Sequence, residues 1–153
     1  MNETIVEGWG NASEVMPRLP GSWSFNRVIE GQGSMLGFAT FTPLNLEGLA
    51  YREQGCLKLL SGAELEAERK YVFRDGDQGF EVYFKETPLR LFHAIELAAY
   101  DGGVLSGSAS HLCNLDLYQS TYTFRPDGSF LVRHVVSGPR KDYTMVTIYT
   151  RML

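Results

Sequence analysis

The segment GSWSFNRVIE, from Gly21 to Glu30, indicates the fold most clearly. It alternates between a small, polar face and a mostly large, apolar one that carries Trp23, Phe25, Arg27 and Ile29. A period of two residues is typical of a β-strand with one buried face. The turn GQGS follows, and MLGFATFTP then reads as a second strand that ends at Pro43. The segment therefore predicts an antiparallel hairpin.

Short turns separate further segments of the same kind along the rest of the chain. ELEAERKYVFRD, residues 64–75, contains helix-forming residues, but its alternation is that of a strand. YDGGVLSGSAS, residues 100–110, is rich in glycine and serine and is interpreted as a loop. The remaining strands are predicted in LAYREQGCLKLL, FEVYF, LRLFHAIEL, HLCNLDLYQSTYTFR, SFLVRHVVS and DYTMVTIYTR.

About nine strands in hairpin order need protected edges. Closing the sheet on itself removes them, whereas a two-sheet sandwich is the competing solution. We predict an all-β fold, a closed antiparallel up-and-down β-barrel of about 8–10 strands. It occupies residues 20–153 as a single domain, and residues 1–19 form an N-terminal extension with a possible short helix.

Composition excludes several classes of protein. The 153 residues carry a formal net charge of −4, so there is no basic surface for nucleic acid. No apolar run approaches the roughly 18 residues of a membrane span. The first twenty residues lack a secretory signal, which predicts a cytoplasmic protein whose Cys56 and Cys113 are free thiols. The oligomeric state is left open.

Polar residues occur on the more apolar face of most predicted strands. That face is taken as the lumen side, which places inward the side chains of Arg27, Tyr51, Glu53, Arg69, Tyr71, His93 and His134. Buried charges need partners. Arg27, Glu53, Arg69 and Tyr71 are therefore expected within hydrogen-bonding reach of one another or of a shared site, with Glu53 meeting Arg69 or Tyr71 across the ladder. Two arginines and one glutamate leave one positive charge, which fits either a purely internal network or a bound anion.

The segment HLCNLDLY, residues 111–118, is the densest cluster of reactive side chains. His111 and Cys113 share one strand face, and Asp116 and Tyr118 have the opposite parity. All four converge only if a bulge or bend intervenes near Asn114. His-x-Cys is not a zinc spacing, and no residue is placed to orient a Cys–His nucleophile pair. We therefore predict no metal and no cofactor, haem included, and we expect Asp116 and Tyr118 to face inward near a barrel mouth.

Two resemblances support a barrel. Gly21-Ser22-Trp23 with Arg151 resembles the lipocalin/calycin superfamily, in which a G-x-W near the start packs against an arginine on the last strand. The segments LPGSWSFNR, YREQG, RKYVF, LFH, HLCNLDLY and GPRKDYTMVTIYTR resemble a family of uncharacterised, mostly bacterial domains of unknown function with calycin/lipocalin-like barrels. This second likeness runs from Leu19 to Arg151 and implies a calycin-like barrel with no assigned chemistry.

These observations predict a barrel that binds a small, largely apolar ligand in its lumen, one with an anionic head group. The ligand-binding candidates are Arg27, Tyr51, Glu53, Arg69, Tyr71, His93, His111, Asp116, Tyr118, His134 and Tyr143. Arg140 and Lys141, just before Tyr143, put positive charge at one mouth. The alternative is an enzyme that uses the same cavity for acid/base chemistry, of cyclase, isomerase or decarboxylase type. A filled barrel without a ligand is also open.

Overall fold

The computed structural model describes residues 8–45 and 48–153, so residues 1–7 of the predicted extension lie outside the described residues. A 3-10 helical turn (Ala12–Glu14) and a short helix α1 (Val15–Arg18) precede the strands. The strands are β1 (Gly21–Ile29), β2 (Gly33–Pro43), β3 (Leu49–Leu59), β4 (Glu64–Gly76), β5 (Gly79–Phe84), β6 (Arg90–Glu96), β7 (Ala98–Tyr100), β8 (Val104–Cys113), β9 (Asp116–Phe124), β10 (Phe130–Ser137) and β11 (Asp142–Arg151). No helix in these two ranges is long and apolar enough to cross a membrane.

The eleven strands form one antiparallel sheet in the order β6-β5-β4-β3-β2-β1-β11-β10-β9-β8-β7. Its two end strands, β6 and β7, are consecutive in the chain and are separated by Leu97 alone. The first pairs with β5 and the second with β8, so one continuous stretch changes partner and joins the two ends of the sheet. The predicted barrel is confirmed, and ten strands surround the lumen when β6 and β7 are counted as one.

The interpretation of residues 100–110 as a loop was wrong except for the turn at residues 101–103. Val104–Cys113 is strand β8, and its small residues lie beside β6 at the seam of the barrel. A Cβ atom at Gly107 would clash with the backbone oxygen of Glu96, and one at Gly79 would clash with that of Ile95. Glycine is needed here because two backbones approach closely. In the sequence alone, the resulting glycine-rich composition is the same as that of a loop.

The predicted inner face of LRLFHAIEL is wrong at its start. The β5–β6 register shifts between Val82 and Tyr83, so Phe92 and His93 are both buried in succession. Alternation from the inward-facing His93 predicts that Leu91 is inside as well, but Leu91 is 44% exposed. An irregularity of this kind reverses the parity of the residues on one side of it, while His93 and Ile95 beyond it remain inside as predicted.

One end of the barrel is closed by aromatic packing. Trp23 lies opposite Arg151 in the β1–β11 ladder, and the Arg151 guanidinium lies over the indole ring at 4.2 Å from its centroid. The predicted contact between these residues is confirmed. Arg151 also donates hydrogen bonds to the backbone oxygens of Arg18 and Pro20, so it holds the short helix against this end. Trp9 stacks on Trp23 with ring centroids 5.8 Å apart, which leaves the opposite end as the accessible one.

Candidate functional site

A cavity of about 350 Å³ occupies the other half of the barrel. Its mouth lies among the hairpins that join β1 to β2, β5 to β6, β8 to β9 and β10 to β11. The ends of these strands carry its outermost wall residues. Aromatic and aliphatic side chains make up much of the wall, among them Phe41, Phe73, Phe84, Phe92, Phe130, Val132 and Met145. The volume lies in the lower part of the range of about 300–1,000 Å³ seen for small-molecule pockets.

A buried ion pair lies in the cavity wall. Arg27 Nη1 and Nη2 donate to the two carboxylate oxygens of Glu53, at 2.7 and 2.9 Å. Arg27 Nε donates to Thr147 Oγ1 at 2.8 Å. The hydroxyl of Tyr51 donates to Glu53 Oε1 at 2.5 Å and lies 2.8 Å from the hydroxyl of Tyr149. Glu53 therefore pairs through the lumen with an arginine two strands away in sheet order, and the expected bonds from Arg69 or Tyr71 are not formed.

The ion pair is charged on both sides. Burial alone would raise the pKa of Glu53, but the hydrogen bonds and charge of Arg27 hold it below its ordinary value. Burial likewise opposes the charge on Arg27, yet the same bonds keep the pKa of its guanidinium above the usual value. Burial raises the pKa of Tyr149 to about 12, so its hydroxyl stays protonated. Most donors and acceptors of the network have internal partners, and its two charges cancel.

Three further cations line the cavity at its mouth, Arg69, Arg90 and Lys141, and Arg90 is paired with Glu86 at 3.0 Å. Arg69 faces Glu53 in the β3–β4 ladder, but its side chain reaches the rim, where Nη1 donates to the Tyr71 hydroxyl at 3.2 Å. No carboxylate among the described residues lies within 4.0 Å of Arg69. Lys141 Nζ donates to the Tyr118 hydroxyl at 2.9 Å and lies 3.7 Å from Asp116 Oδ2. The unbalanced charge expected from the sequence is therefore at the entrance.

Two buried histidines lie at the cavity, His134 in its wall and His93 behind it. His93 Nε2 lies 2.9 Å from the Tyr122 hydroxyl, and His134 Nδ1 lies 2.7 Å from Ser120 Oγ. Phe92 packs on both imidazoles. Burial, with the nearby His134 and His111, lowers the pKa of His93 to about 3. Burial, with the charges of Arg27 and Arg69, lowers the pKa of His134 to about 4, so both rings are neutral at pH 7.

The segment HLCNLDLY is a hairpin. β8 ends at Cys113 and β9 starts at Asp116, with a turn at Asn114-Leu115 in which Asn114 has φ +57°. His111 pairs with Tyr118 and Cys113 with Asp116. Cross-strand partners share a face of the sheet, so all four side chains lie on one side. The turn at Asn114-Leu115 is the bend that this convergence was expected to need. Asparagine tolerates this backbone conformation better than most residues.

This cluster has no arrangement of metal ligands. Within residues 8–45 and 48–153, no group of three or more histidine, cysteine, aspartate or glutamate side chains is placed to hold a metal ion. Cys56 and Cys113 are both free thiols. His111 and Cys113 line the cavity, while Asp116 lies outside it and contacts Lys141.

Nine of the eleven residues selected from the sequence line the cavity, namely Arg27, Tyr51, Glu53, Arg69, Tyr71, His111, Tyr118, His134 and Tyr143. His93 lies behind the wall, where it supports Tyr122. Sequence reasoning missed Tyr122, Tyr149, Thr147 and Phe92. Tyr122 has the parity of Tyr118, which was expected to face inward on β9, and the same argument applied to β11 would have found Tyr149. Phe92 gave no such signal, because the irregularity beside it changes the parity.

A family model described as a family of unknown function (DUF6314) matches residues 19–151. Comparison with curated proteins gives no significant match. Similar solved structures include a de novo designed fluorescence-activating β-barrel, with 13% identity, TM-score 0.45 and coverage of 90% of this chain and 96% of that one. They also include a redesigned β-barrel, mFAP1, bound to DFHBI, with 16% identity, TM-score 0.43 and coverage of 93% and 100%.

Proposed function

Because the chain belongs to DUF6314, a family of unknown function, we propose its role from its own lumen: it binds a small, largely apolar ligand with an anionic head group inside the barrel. The observation that carries the proposal is the combination of an aromatic cavity of about 350 Å³ with an arginine at its mouth, Arg69, that contacts no carboxylate of residues 8–45 and 48–153. Apolar walls with a few convergent polar groups are typical of such pockets.

The head group is assigned to the mouth. Arg27 is the deeper cation, but its fork is already occupied by Glu53 and its Nε by Thr147. An anion placed there would have to compete with a bidentate, buried carboxylate. In the part of the chain that the structure describes, Arg69 and Lys141 bond only to tyrosine hydroxyls and, for Lys141, to a carboxylate at 3.7 Å. A ligand therefore enters with its apolar part towards the ion pair and leaves its charge at the rim.

The first experiment for this function is native mass spectrometry of the purified protein, which we expect to show a retained small molecule. The second compares 1-anilinonaphthalene-8-sulfonate with N-phenyl-1-naphthylamine, which has the same rings without the sulfonate. We expect Arg69→Gln to weaken binding of the sulfonate about three- to fivefold, the range for a partly exposed charge, and to leave the neutral probe unchanged.

Arg52→Gln is the matched control. Arg52 lies on the outer face of β3, where it pairs with Glu68, so its loss removes the same charge without touching the cavity. Met145→Trp, which fills the lumen, should abolish binding of both probes while the thermal transition is retained. Equal losses of affinity for the sulfonate probe in Arg52→Gln and Arg69→Gln would contradict a head-group site at the mouth. Full binding of the probes by Met145→Trp would show that they bind elsewhere.

The alternative is an enzyme with the same cavity, and the His134–Ser120 pair favours it. Their 2.7 Å contact orients a neutral imidazole in the lumen wall, as a general base requires. Glu53 is less suited to that role because its oxygens accept three hydrogen bonds. Mass spectrometry of a recovered ligand after prolonged incubation with fresh protein separates the two functions. An unchanged mass and retention time identifies a carrier, and a change lost in His134→Asn identifies an enzyme.

The proposal includes a cytoplasmic location. Its support is the pair of free thiols, because unpaired cysteines are usual in reducing compartments. Fractionation of the native host with an antibody against the chain tests this location, and recovery from the exported fraction would contradict it.

A further inference from the structure

Three buried tyrosine hydroxyls belong to the cavity wall, those of Tyr51, Tyr122 and Tyr149. Each has one proton to donate. Tyr51 gives its proton to the ionised Glu53 at 2.5 Å. The 2.8 Å contact between Tyr51 and Tyr149 then requires Tyr149 to be the donor. Both of these protons are used within the protein.

Tyr122 differs because its partner is a neutral histidine. His93 is 3% exposed, and it carries one N–H. Its Nδ1 is buried and makes no hydrogen bond with the described residues. A buried N–H without a partner is among the costliest polar groups, whereas an unused lone pair costs less. The proton of His93 therefore lies on Nε2, which donates to the Tyr122 hydroxyl oxygen at 2.9 Å.

This assignment leaves the Tyr122 proton without an acceptor in the described parts of the chain, since the hydroxyl makes no second hydrogen bond there. Tyr122 lines the cavity, so that proton is available to its contents. We propose that the Tyr122 hydroxyl, oriented by His93, is the buried hydrogen-bond donor of the lumen, and that it selects ligands with a neutral acceptor oxygen, such as a ketone or ester carbonyl, in their apolar body. The inference rests on the proposed ligand-binding function and deepens it.

A neutral acceptor suits this position better than a second anion. Burial raises the pKa of Tyr122 well above its ordinary value, so the hydroxyl remains a proton donor. No cation among the described residues hydrogen-bonds to it, and Phe80 packs edge-on against its ring with centroids 5.1 Å apart. A charge would lose its hydration there without compensation. A carbonyl needs one donor, which Tyr122 supplies. His93 is a positioning residue in this arrangement.

The test uses two pairs of probes that differ only by a carbonyl. They are the 2- and 4-carboxylates of 9-fluorenone, each compared with the corresponding fluorene carboxylate by isothermal titration. We expect the wild-type protein to bind at least one ketone about five- to tenfold more tightly than its partner, the preference of one neutral hydrogen bond. In Tyr122→Phe this preference should disappear while binding of the fluorene acids is retained. Tyr83→Phe, an outer-face tyrosine bonded to Glu81, is the control and should keep the preference.

The outcomes distinguish the donor role of Tyr122 from the proposed ligand-binding function on which it rests. Binding of the fluorene acids without a ketone preference in either pair would overturn the role of Tyr122 and leave ligand binding intact. Failure of all four acids to bind would overturn the proposed function, and the inference with it. A lowered carbonyl stretching frequency of the bound ketone, lost in Tyr122→Phe, is the expected spectroscopic signature.

A measurement without ligand tests the role of His93. Long-range ¹H–¹⁵N correlation spectra of the free protein at pH 7 should show His93 as the Nε2–H tautomer, and an Nδ1–H tautomer would overturn the proposal. His93→Gln places an amide N–H near the position of Nε2 and should keep part of the ketone preference, whereas His93→Leu should lose it. Equal preferences in these two variants, with both folded by thermal melting, would also contradict the assigned role.

Discussion

We expect Arg27→Met to lower the free energy of unfolding by about 3–5 kcal/mol at pH 7, the largest effect of any single substitution considered. The loss leaves Glu53, which is 2% exposed, as a buried carboxylate with Tyr51 as its remaining donor. Urea denaturation of the wild type and the variant measures the difference. Because the unpaired carboxyl can take up a proton, the deficit should shrink as the pH is lowered towards 5.

The double variant Arg27→Met/Glu53→Gln separates the loss of a partner from the loss of packing. The amide is neutral and still accepts a hydrogen bond from Tyr51, so most of the stability should return. Arg69→Met is the matched control. Arg69 faces the same Glu53 in the β3–β4 ladder, but its side chain reaches the rim, so its loss should lower the free energy of unfolding by under about 1 kcal/mol. A double variant as unstable as Arg27→Met alone, or a comparable loss in Arg69→Met, would show that the ion pair is not arranged as described.

The second large effect is a loss of stability between pH 7 and pH 5 from the two buried histidines. The folded-state pKa values of His93 and His134, about 3 and about 4, lie below the unfolded value near 6.5. Their contribution is therefore complete above pH 6.5 and is lost as the pH falls towards the folded values. At pH 5 each histidine should have lost about 2 kcal/mol. Glu53 does not contribute in this window, because its folded pKa is lowered from an ordinary value already below 5.

Denaturation midpoints at half-unit steps from pH 7 to pH 5 measure this slope. His93→Gln and His134→Asn replace each ring by a neutral amide near the nitrogen that forms the hydrogen bond, so each should reduce the slope by about half. The pKa of the exposed Asp127 is lowered by its bonds to Ser129, and this residue serves as an internal comparison, since Asp127→Asn should leave the slope unchanged in this range. An unchanged slope in both histidine variants would mean that the two rings are already charged or accessible in the folded protein.

Alternation and turn chemistry were sufficient for much of the fold. Trp23, Phe25 and Arg27 lie inside as the pattern of β1 predicts, and the Trp23–Arg151 contact follows from the barrel closing as expected. Six of the seven side chains that parity placed inside, all except His93, line the cavity. The parity argument failed where the strand is irregular, at Leu91, and where glycine serves a close approach of backbones, at Gly107. A register shift between two strands leaves no recognisable mark in the sequence of either strand. The same holds for the seam where the barrel closes.

By itself the sequence determined that this chain forms an antiparallel barrel with charges and imidazoles on its inner face, because side-chain direction in a strand is a local property with a period of two. Only the tertiary structure decided which of these groups pair. Glu53 lies opposite Arg69 in the ladder, yet it bonds to Arg27, whose strand lies two positions from its own in the sheet. Curvature of the closed sheet brings side chains from distant strands together across the lumen, and ladder register alone does not specify those distances.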